Sequence, residues 1–450
     1  MILGRDHGGY PRLEVAAKRV LFVLHNHPAV QPGGTEAYAL NVYEALRGSP
    51  EWEPLLLARV GPDAAAELGL RAGQAVGTLP GDPNQILVRV AEDEFDKFLM
   101  TARDKHVYTD RLAGVLRDRR PDVIHVQHTL YLGTELFGLA RRLLPAAPIV
   151  HTLHEYLPIC NHYGQLVRTF GGELCMMESP RRCHQCYPEI PPQAFFLRKQ
   201  LIQSQFAQAD MFIAPSRFLL DRYVDWGIPR ERILLEDHGF PPAQPVAAPD
   251  RDPRNRFAFF GVMTPFKGVD VLLRAMERLG PSFDGHLWVH GSHYSEQPED
   301  QRAELERLFE ATRATVTWAG PYDHADLPRL MSEIDWVVVP SVWWENSPLV
   351  IREAFQHGRP VICSDIGGMA EKVRHRVDGL HFRVGDPGSL ARALEQAAMT
   401  PRLWYRLRDG IPPVKTLAEH VTTLTRLYSD LIERRAGAHS HGAPRLVMQR

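Results

Sequence analysis

Two kinds of pattern alternate along this chain. Short apolar runs fall at residues 19–24, 123–126, 148–153, 209–214, 257–260, 287–291, 315–318, 336–339 and 360–363. Hydrophobicity that is continuous instead of alternating suits a parallel strand covered on both faces. Between the runs, apolar residues return at helical spacing, as after Thr35, after Ser216 and across 269–278. A long helix is predicted over 94–120, its charges forming a solvated face. Strands alternating with helices predict an α/β chain with parallel sheets.

The opening of the chain is repeated in outline after its middle. Strand, glycine loop and helix follow one another from residue 19 and again from residue 257. Between these halves lies PPAQPVAAPDRDP, proline-rich and without periodicity, which reads as a stiff linker. The prediction is two doubly wound, Rossmann-like domains facing across a cleft, at 18–240 and 255–413. A helix over 414–434 could recross to the first domain, and the polar, basic residues 435–450 read as a disordered tail.

Residues 335–368 carry the strongest chemical signal. After the strand at 336–339 comes a loop with Glu345, then Ser347 as a helix cap and Pro348 where proline is best tolerated. The helix stops at Gly358, before the next strand. In such a unit the free N–H groups of Leu349 and Val350 face the crevice beyond the strand end, a place for a phosphate. Glu345 and Glu353 lie before and within the helix, and carboxylates accept hydrogen bonds from the vicinal hydroxyls of a nucleotide sugar.

Glu345, seven intervening residues, Glu353-Ala354 and then Gly358-x-Pro360 resemble the nucleotide-sugar signature of the retaining family 4 glycosyltransferases. That resemblance implies the GT-B fold. It implies that Glu345 contacts the donor sugar, Glu353 holds the ribose, and the amides of Leu349 and Val350 meet the diphosphate, with Asn346 and Ser347 in the same loop. GVMTPFKG, residues 261–268, looks like the family's diphosphate loop, so Gly261 and Lys267 join the expected donor site. Lys267 can neutralise charge growing on the leaving group. Many relatives carry arginine where this chain has Val262, so one cationic contact is absent or supplied elsewhere.

In the first half, Gly33 and Gly34 can bring backbone close to a ligand. The resemblance places this loop by the donor phosphates and the acceptor. His128, at the end of the strand from 123, is the stronger histidine candidate for facing the donor sugar; His125 and His154 are weaker ones. Gly291 and Tyr322 are candidates at the edge of the second domain, Tyr322 near the base.

Four of the five cysteines, Cys160, Cys175, Cys183 and Cys186, crowd into an insertion spanning about 155–200. With no export signal, disulfides are not expected to persist, and clustered thiols with a C-x-x-C pair read as a structural zinc staple. Reduced, partly buried thiols are the competing reading. Sulfur-only ligation leaves no open coordination position, so no catalytic metal is expected there.

Composition narrows the function classes. A formal net charge of -2 gives no global field for nucleic acid or anionic membrane. No run approaches the length of a membrane span, and the expected location is the cytoplasm, with peripheral membrane contact left open. The resemblance implies transfer of a sugar from a nucleotide diphosphate to a hydroxyl-bearing acceptor (saccharide, lipid-linked sugar or small molecule) with retention, and no catalytic metal. An epimerase or hydrolase of the same fold, or a non-catalytic nucleotide-sugar-binding subunit, are the alternatives.

Overall fold

The apolar runs become the centres of two sheets. The computed structural model describes residues 16–31, 33–243, 246, 252–292 and 294–441. The first half contributes β1 (Lys18–Leu24), β2 (Trp52–Val60), β3 (Val76–Leu79), β4 (Asp82–Arg89), β5 (Phe95–Asp96), β6 (Thr101–Ala102), β7 (Val123–Val126), β8 (Ile149–Thr152), β9 (Met211–Ala214) and β10 (Ile233–Leu235). The second half contributes β11 (Arg256–Val262), β12 (His286–Ser292), β13 (Val316–Gly320), β14 (Trp336–Val339), β15 (Val361–Ser364) and β16 (Gly379–Phe382).

In the first sheet the order is β10-β9-β8-β7-β1-β2-β4-β3, parallel except for β3 against β4. The second is fully parallel in the order β13-β12-β11-β14-β15-β16. Each is doubly wound, with strand order reversing between β1 and β7 and between β11 and β14. Beyond the carboxyl ends of the strands at such a reversal the loops part and leave a crevice. Those loops begin at His25 and Gln127 in one domain, and at Met263 and Pro340 in the other.

Burial on both faces explains the unbroken strand sequences. Leu21, Val23, Ile124 and Val126 pack with Phe137, Phe206 and Leu219 on one side of the first sheet. Val20, Phe22 and Leu24 pack with Tyr43 and Tyr428 on the other. In the second domain Phe257, Phe259 and Val338 face Leu272 and Trp404, while Ala258, Phe260 and Val339 face Ile351 and Met369.

The terminal helix, Leu417–His441, does recross, burying Leu424 and Tyr428 in the first domain's core. It runs beyond the expected 414–434, and Arg435 Nε donates to Asp210 Oδ1 at 2.8 Å, so residues 435–441 are helical where a disordered tail was expected. Residues 442–450, and the linker residues 244, 245 and 247–251, lie outside the described residues.

The long helix expected over 94–120 is instead the β5–β6 hairpin, a π-helical turn Val107–Leu112 and a short helix Ala113–Arg119. Asp96 Oδ1 accepts from Leu99 N at 2.9 Å and Met100 takes a φ of 55° with its side chain fully buried, which turns the chain before helix can form. Among the described residues no helix is long and apolar enough to cross a membrane.

Candidate functional site

The loop after β14 folds back over the loop after β11. Gly268 makes this approach feasible: at φ 67° it lies so near Pro340 that an added Cβ would stand 2.1 Å from the carbonyl oxygen. Lys267, beside it, donates from Nζ to Glu345 Oε1 at 2.6 Å. Ser341 Oγ and Trp343 Nε1 donate to the same oxygen at 2.8 and 3.0 Å. Glu345 is buried, and three donors on one oxygen fix its carboxylate in direction.

After Glu345 the chain enters the helix Leu349–Gln356. Its N-cap position is Pro348; the side chain of Ser347, expected to cap it, donates to Asp237 Oδ1 at 3.2 Å instead. Asp237 also pairs with Arg352 and, at 2.8 Å, with Lys372. The amides of Leu349 and Val350 open the helix, where backbone N–H groups lack intrahelical acceptors. Facing them from the first domain is the double glycine. An added Cβ at Gly34 would lie 3.4 Å from Leu349 Cδ1. Gly33 is the N-cap of the helix Gly34–Arg47.

Glu353 turns toward the far end of the cleft. Its Oε1 meets His324 Nε2 at 2.9 Å, and this hydrogen bond raises the His324 pKa above its ordinary value. Tyr322 packs edge-on against Phe260 and His290, with its phenol pushed up by burial and by the Glu353 charge. Gly261 and Gly291 are register partners between β11 and β12, at the back of this region.

Across the cleft, His25 and His128 stack with ring centroids 4.1 Å apart. His25 Nε2 lies 3.2 Å from Glu36, and His128 Nε2 lies 3.6 Å from Glu155. Burial, aided by Arg59, lowers His25 to about 4, while burial pushes Glu36 up to about 7 and Glu155 up to about 8. Burial, then the neighbouring His25 and His151, lowers His128 far below its ordinary value. His128 is therefore neutral, and because Nδ1 accepts from Leu130 N at 3.0 Å, its proton sits on Nε2. Tyr156 links the two sides: burial, then Glu345, with Glu155 also contributing, raises its phenol. Its hydroxyl, with His25 Nδ1, Gln127 Nε2 and His238 Nδ1, is buried without a hydrogen-bond partner.

Not every expected residue reaches this cleft. His125 is fully buried in β7, with Nδ1 bonded to Tyr428 Oη at 2.6 Å and Nε2 to Thr152 Oγ1 at 2.7 Å. Its two nitrogens are thus occupied within the core. His154 turns Nε2 to Gln127 Oε1 at 2.9 Å, and Asn346 bonds across the domains to Ser216 Oγ at 2.8 Å. Ser341, Trp343, Glu36, Glu155 and Tyr156 were missed as site residues. Ser341 and Trp343 lay inside the motif stretch; Glu36 and Glu155 carry no spacing signal, because only folding buries them.

Known proteins resemble this chain in both of its halves. A model described as Glycosyltransferase Family 4 matches residues 32–239, and one described as Glycosyl transferases group 1 matches residues 254–399. A D-inositol 3-phosphate glycosyltransferase of Mycobacterium sp. (strain KMS) is 28% identical over 421 residues, covering 88% of this chain and 84% of that protein. Sucrose-phosphate synthase from Thermosynechococcus elongatus superposes with a TM-score of 0.67 at 18% identity, over 93% of this chain and 100% of that one. Anabaena HepE in complex with UDP and glucose gives 0.61 at 17% identity, over 92% and 100%. With both halves matched and the GT-B architecture shared, the chain belongs to the family 4 glycosyltransferases.

Proposed function

We propose that this glycosyltransferase moves a hexose from a nucleoside diphosphate to a hydroxyl of a polyhydroxylated acceptor, with retention of anomeric configuration. The observation that carries this reading is the convergence of Lys267, Ser341 and Trp343 on Glu345 beside the opening of the helix Leu349–Gln356. In this reading Glu345 accepts hydrogen bonds from donor-sugar hydroxyls and Glu353 holds the ribose. Lys267 and the amides of Leu349 and Val350 offset the charge that grows on the diphosphate as the glycosidic bond breaks. They fill the role that a divalent cation takes in other transferases.

Neutral His128, with its proton on Nε2, donates to a sugar oxygen and does not act as a base. Orphaned polar atoms on His25, Gln127, Tyr156 and His238 offer partners to acceptor hydroxyls. The inositol phosphate in the name of the mycobacterial relative supports a polyol acceptor. Attack from the face that the nucleotide leaves accounts for retention without an enzyme nucleophile. Domain closure excludes water and suppresses donor hydrolysis. Five free thiols suit a reducing compartment, so we place the reaction in the cytoplasm, with peripheral membrane contact open to a lipid-linked acceptor.

The test incubates the enzyme with a panel of nucleotide sugars and polyol acceptors and reads the anomeric coupling of the product by NMR. Product with the donor's configuration is expected. An inverted product removes the retaining assignment, and nucleotide release that ignores the acceptor removes transfer itself.

A further inference from the structure

The four cysteines of the insertion at 155–200 line a hollow of roughly 160 Å³, but its walls as they stand do not fit the zinc staple expected from their spacing. Among the described residues no three ligating side chains are placed to hold a metal ion. Burial pushes the Cys160 thiol up to about 11 and the Cys183 thiol up to about 12, which disfavours the thiolates that zinc binds.

The first domain holds an unpaired charge at the edge of the cleft. Arg59, next to last in β2, is only 6% exposed. Loops that follow β1, β4 and β7 close around it at the carboxyl ends of the strands. Its Nε donates to Val90 O at 2.8 Å, Nη1 donates to Asn26 Oδ1 at 3.3 Å, and the guanidinium carbon lies 4.1 Å from the centroid of the Tyr131 ring. Asn26 Nδ2 donates in turn to Gln31 Oε1 at 3.0 Å, which keeps the Asn26 oxygen turned to the arginine.

None of these partners is an anion. The carboxylates whose charge reaches the guanidinium, Glu92 and Glu94, have cations of their own: Glu92 lies 3.6 Å from Lys97 and Glu94 lies 2.9 Å from Arg111. Among the described residues no carboxylate stands within ion-pair distance of Arg59, and its Nη2 donates to nothing. Burial draws its pKa below the ordinary arginine value, with Tyr131, Glu92 and Glu94 opposing. A cation held out of water without a counterion is unfavourable, and a ligand that supplies the anion relieves it. Gly61 leaves the Nη2 end uncovered, since an added Cβ there would stand 3.8 Å from that nitrogen.

The geometry points to an anion subsite at Arg59 that holds a phosphate or carboxylate carried by the acceptor. The guanidinium fork presents its free protons to two oxygens of one oxyanion, the pairing that arginine makes best. The groups assigned to the donor diphosphate, Lys267 and the amides of Leu349 and Val350, belong to the second domain, whereas Arg59 stands on the first, behind His25. Its charge helps to lower His25, whose ring stacks on His128. An acceptor anchored at Arg59 therefore reaches past these two rings toward the donor sugar. Calling the ligand an acceptor rests on the transfer reading; the anion subsite does not.

Calorimetry and transfer kinetics on the full-length chain test this with inositol phosphate, glucuronate and neutral inositol as probes. One of the two anions is expected to bind, and to show a KM roughly tenfold or more below that of neutral inositol, the scale of a hydrogen bond to a charged group. Which anion it is distinguishes phosphate from carboxylate. Arg59→Gln should bring the anionic and neutral acceptors to similar KM, and Arg59→Lys should restore part of the preference. Should Arg59→Gln not fold, Gly61→Val gives the same reading by covering Nη2, because Gly61 has an extended backbone at φ -68° that valine adopts without strain. Equal KM for anionic and neutral acceptors in the wild-type enzyme overturns the subsite and leaves transfer standing. A rise in donor KM with the acceptor preference intact in Arg59→Gln assigns the arginine to the diphosphate and overturns it as well. Anion binding that Arg59→Gln abolishes, in an enzyme that transfers to no acceptor, supports the subsite and removes the transfer reading instead.

Discussion

Lys267 and Glu345, 78 residues apart in sequence, hold each other at 2.6 Å. Each was expected to bind the donor, and the structure shows them also binding one another. On the proposed reading, a diphosphate entering the cleft must share or take the lysine, while Ser341 and Trp343 keep the carboxylate in place. On that reading, part of the donor's binding energy would go into redirecting a charge that is already positioned.

Lys267→Ala should lower kcat by roughly a hundredfold, the usual scale for removing one group that stabilises developing charge. Glu345→Gln keeps an acceptor for Ser341 and Trp343 but loses the lysine's countercharge. It should raise donor KM as well as slow transfer. Steady-state kinetics with the best donor of a panel check both, and wild-type rates for the pair would remove Glu345 and Lys267 from the mechanism.

On the proposed reading, His324 and Glu353 make donor affinity depend on pH. The hydrogen bond to Glu353 raises the His324 pKa in the free enzyme. If the ribose claims Glu353, His324 loses that partner, its pKa falls, and binding releases a proton. Linkage then requires donor affinity to strengthen as pH rises through the raised pKa and to be weakest below it. Calorimetry across that range in two buffers measures the proton count. His324→Ala should flatten the profile, and a flat wild-type profile would contradict the ribose role of Glu353.

Stability should fall as pH rises from about 6.5 toward 8. Burial raises Glu36 to about 7 and Glu155 to about 8, from the ordinary 4.5 of a glutamate. Between those values and the unfolded pKa the folded chain holds protons that the unfolded chain releases, so stability falls as pH climbs through the window. Histidines act in the opposite sense at lower pH. His25 is lowered to about 4 and His238 to about 3, both by burial first, from the ordinary 6.5 of a histidine, so their contribution to stability is lost as pH drops below 6.5. Thermal melts from pH 5 to about 8.5 test this, and Glu155→Gln should lessen the decline on the alkaline side.

His125 separates folding from catalysis. Its ring bonds Tyr428 of the recrossing helix and Thr152 of the neighbouring strand. His125→Ala leaves a cavity and takes a partner from each of two buried hydroxyls, and should cost about 2–5 kcal/mol of stability. Donor KM should stay unchanged in whatever folded protein remains. Denaturant titration beside kinetics distinguishes this from a binding role, which would move KM first.

Much of the architecture was legible because burial on both sheet faces writes itself as unbroken apolar runs. Glu345, Lys267 and the helix at Leu349 were legible for another reason: strand, loop and helix are contiguous in sequence, so position along the chain fixes position at the crevice. Tertiary effects hid the rest. Two histidines of one strand segment, His125 and His128, differ in fate because His125 lies within β7 while His128 follows its end. Nothing local announces that Tyr428 will arrive to occupy the first. Likewise Asp96 and Met100 stop a helix through one side-chain hydrogen bond and one left-handed residue, beneath a charge pattern that reads as helical.

Gly368 fixes the far end of the donor loop as Gly268 fixes its start. Gly368 N donates to Glu345 O at 2.7 Å, and an added Cβ would stand 1.7 Å from Asn346 O. Real Cβ atoms do not approach a carbonyl oxygen so closely, so Gly368→Ala must push the Glu345–Asn346 backbone aside. Asn346 in turn bonds Ser216, and the displacement reaches the domain junction. The expected outcome is a fall in kcat/KM of roughly a hundredfold, since that is what a misplacement of about 1 Å costs. Gly114→Ala is the control: it meets nothing within 4 Å, lies in a helix, and should stabilise the fold by about 0.4–1 kcal/mol through the unfolded state without touching the kinetics. Equal kinetics in the two variants would mean that the loop carrying Glu345 tolerates displacement, which is incompatible with a carboxylate that works by being held in one direction by three donors.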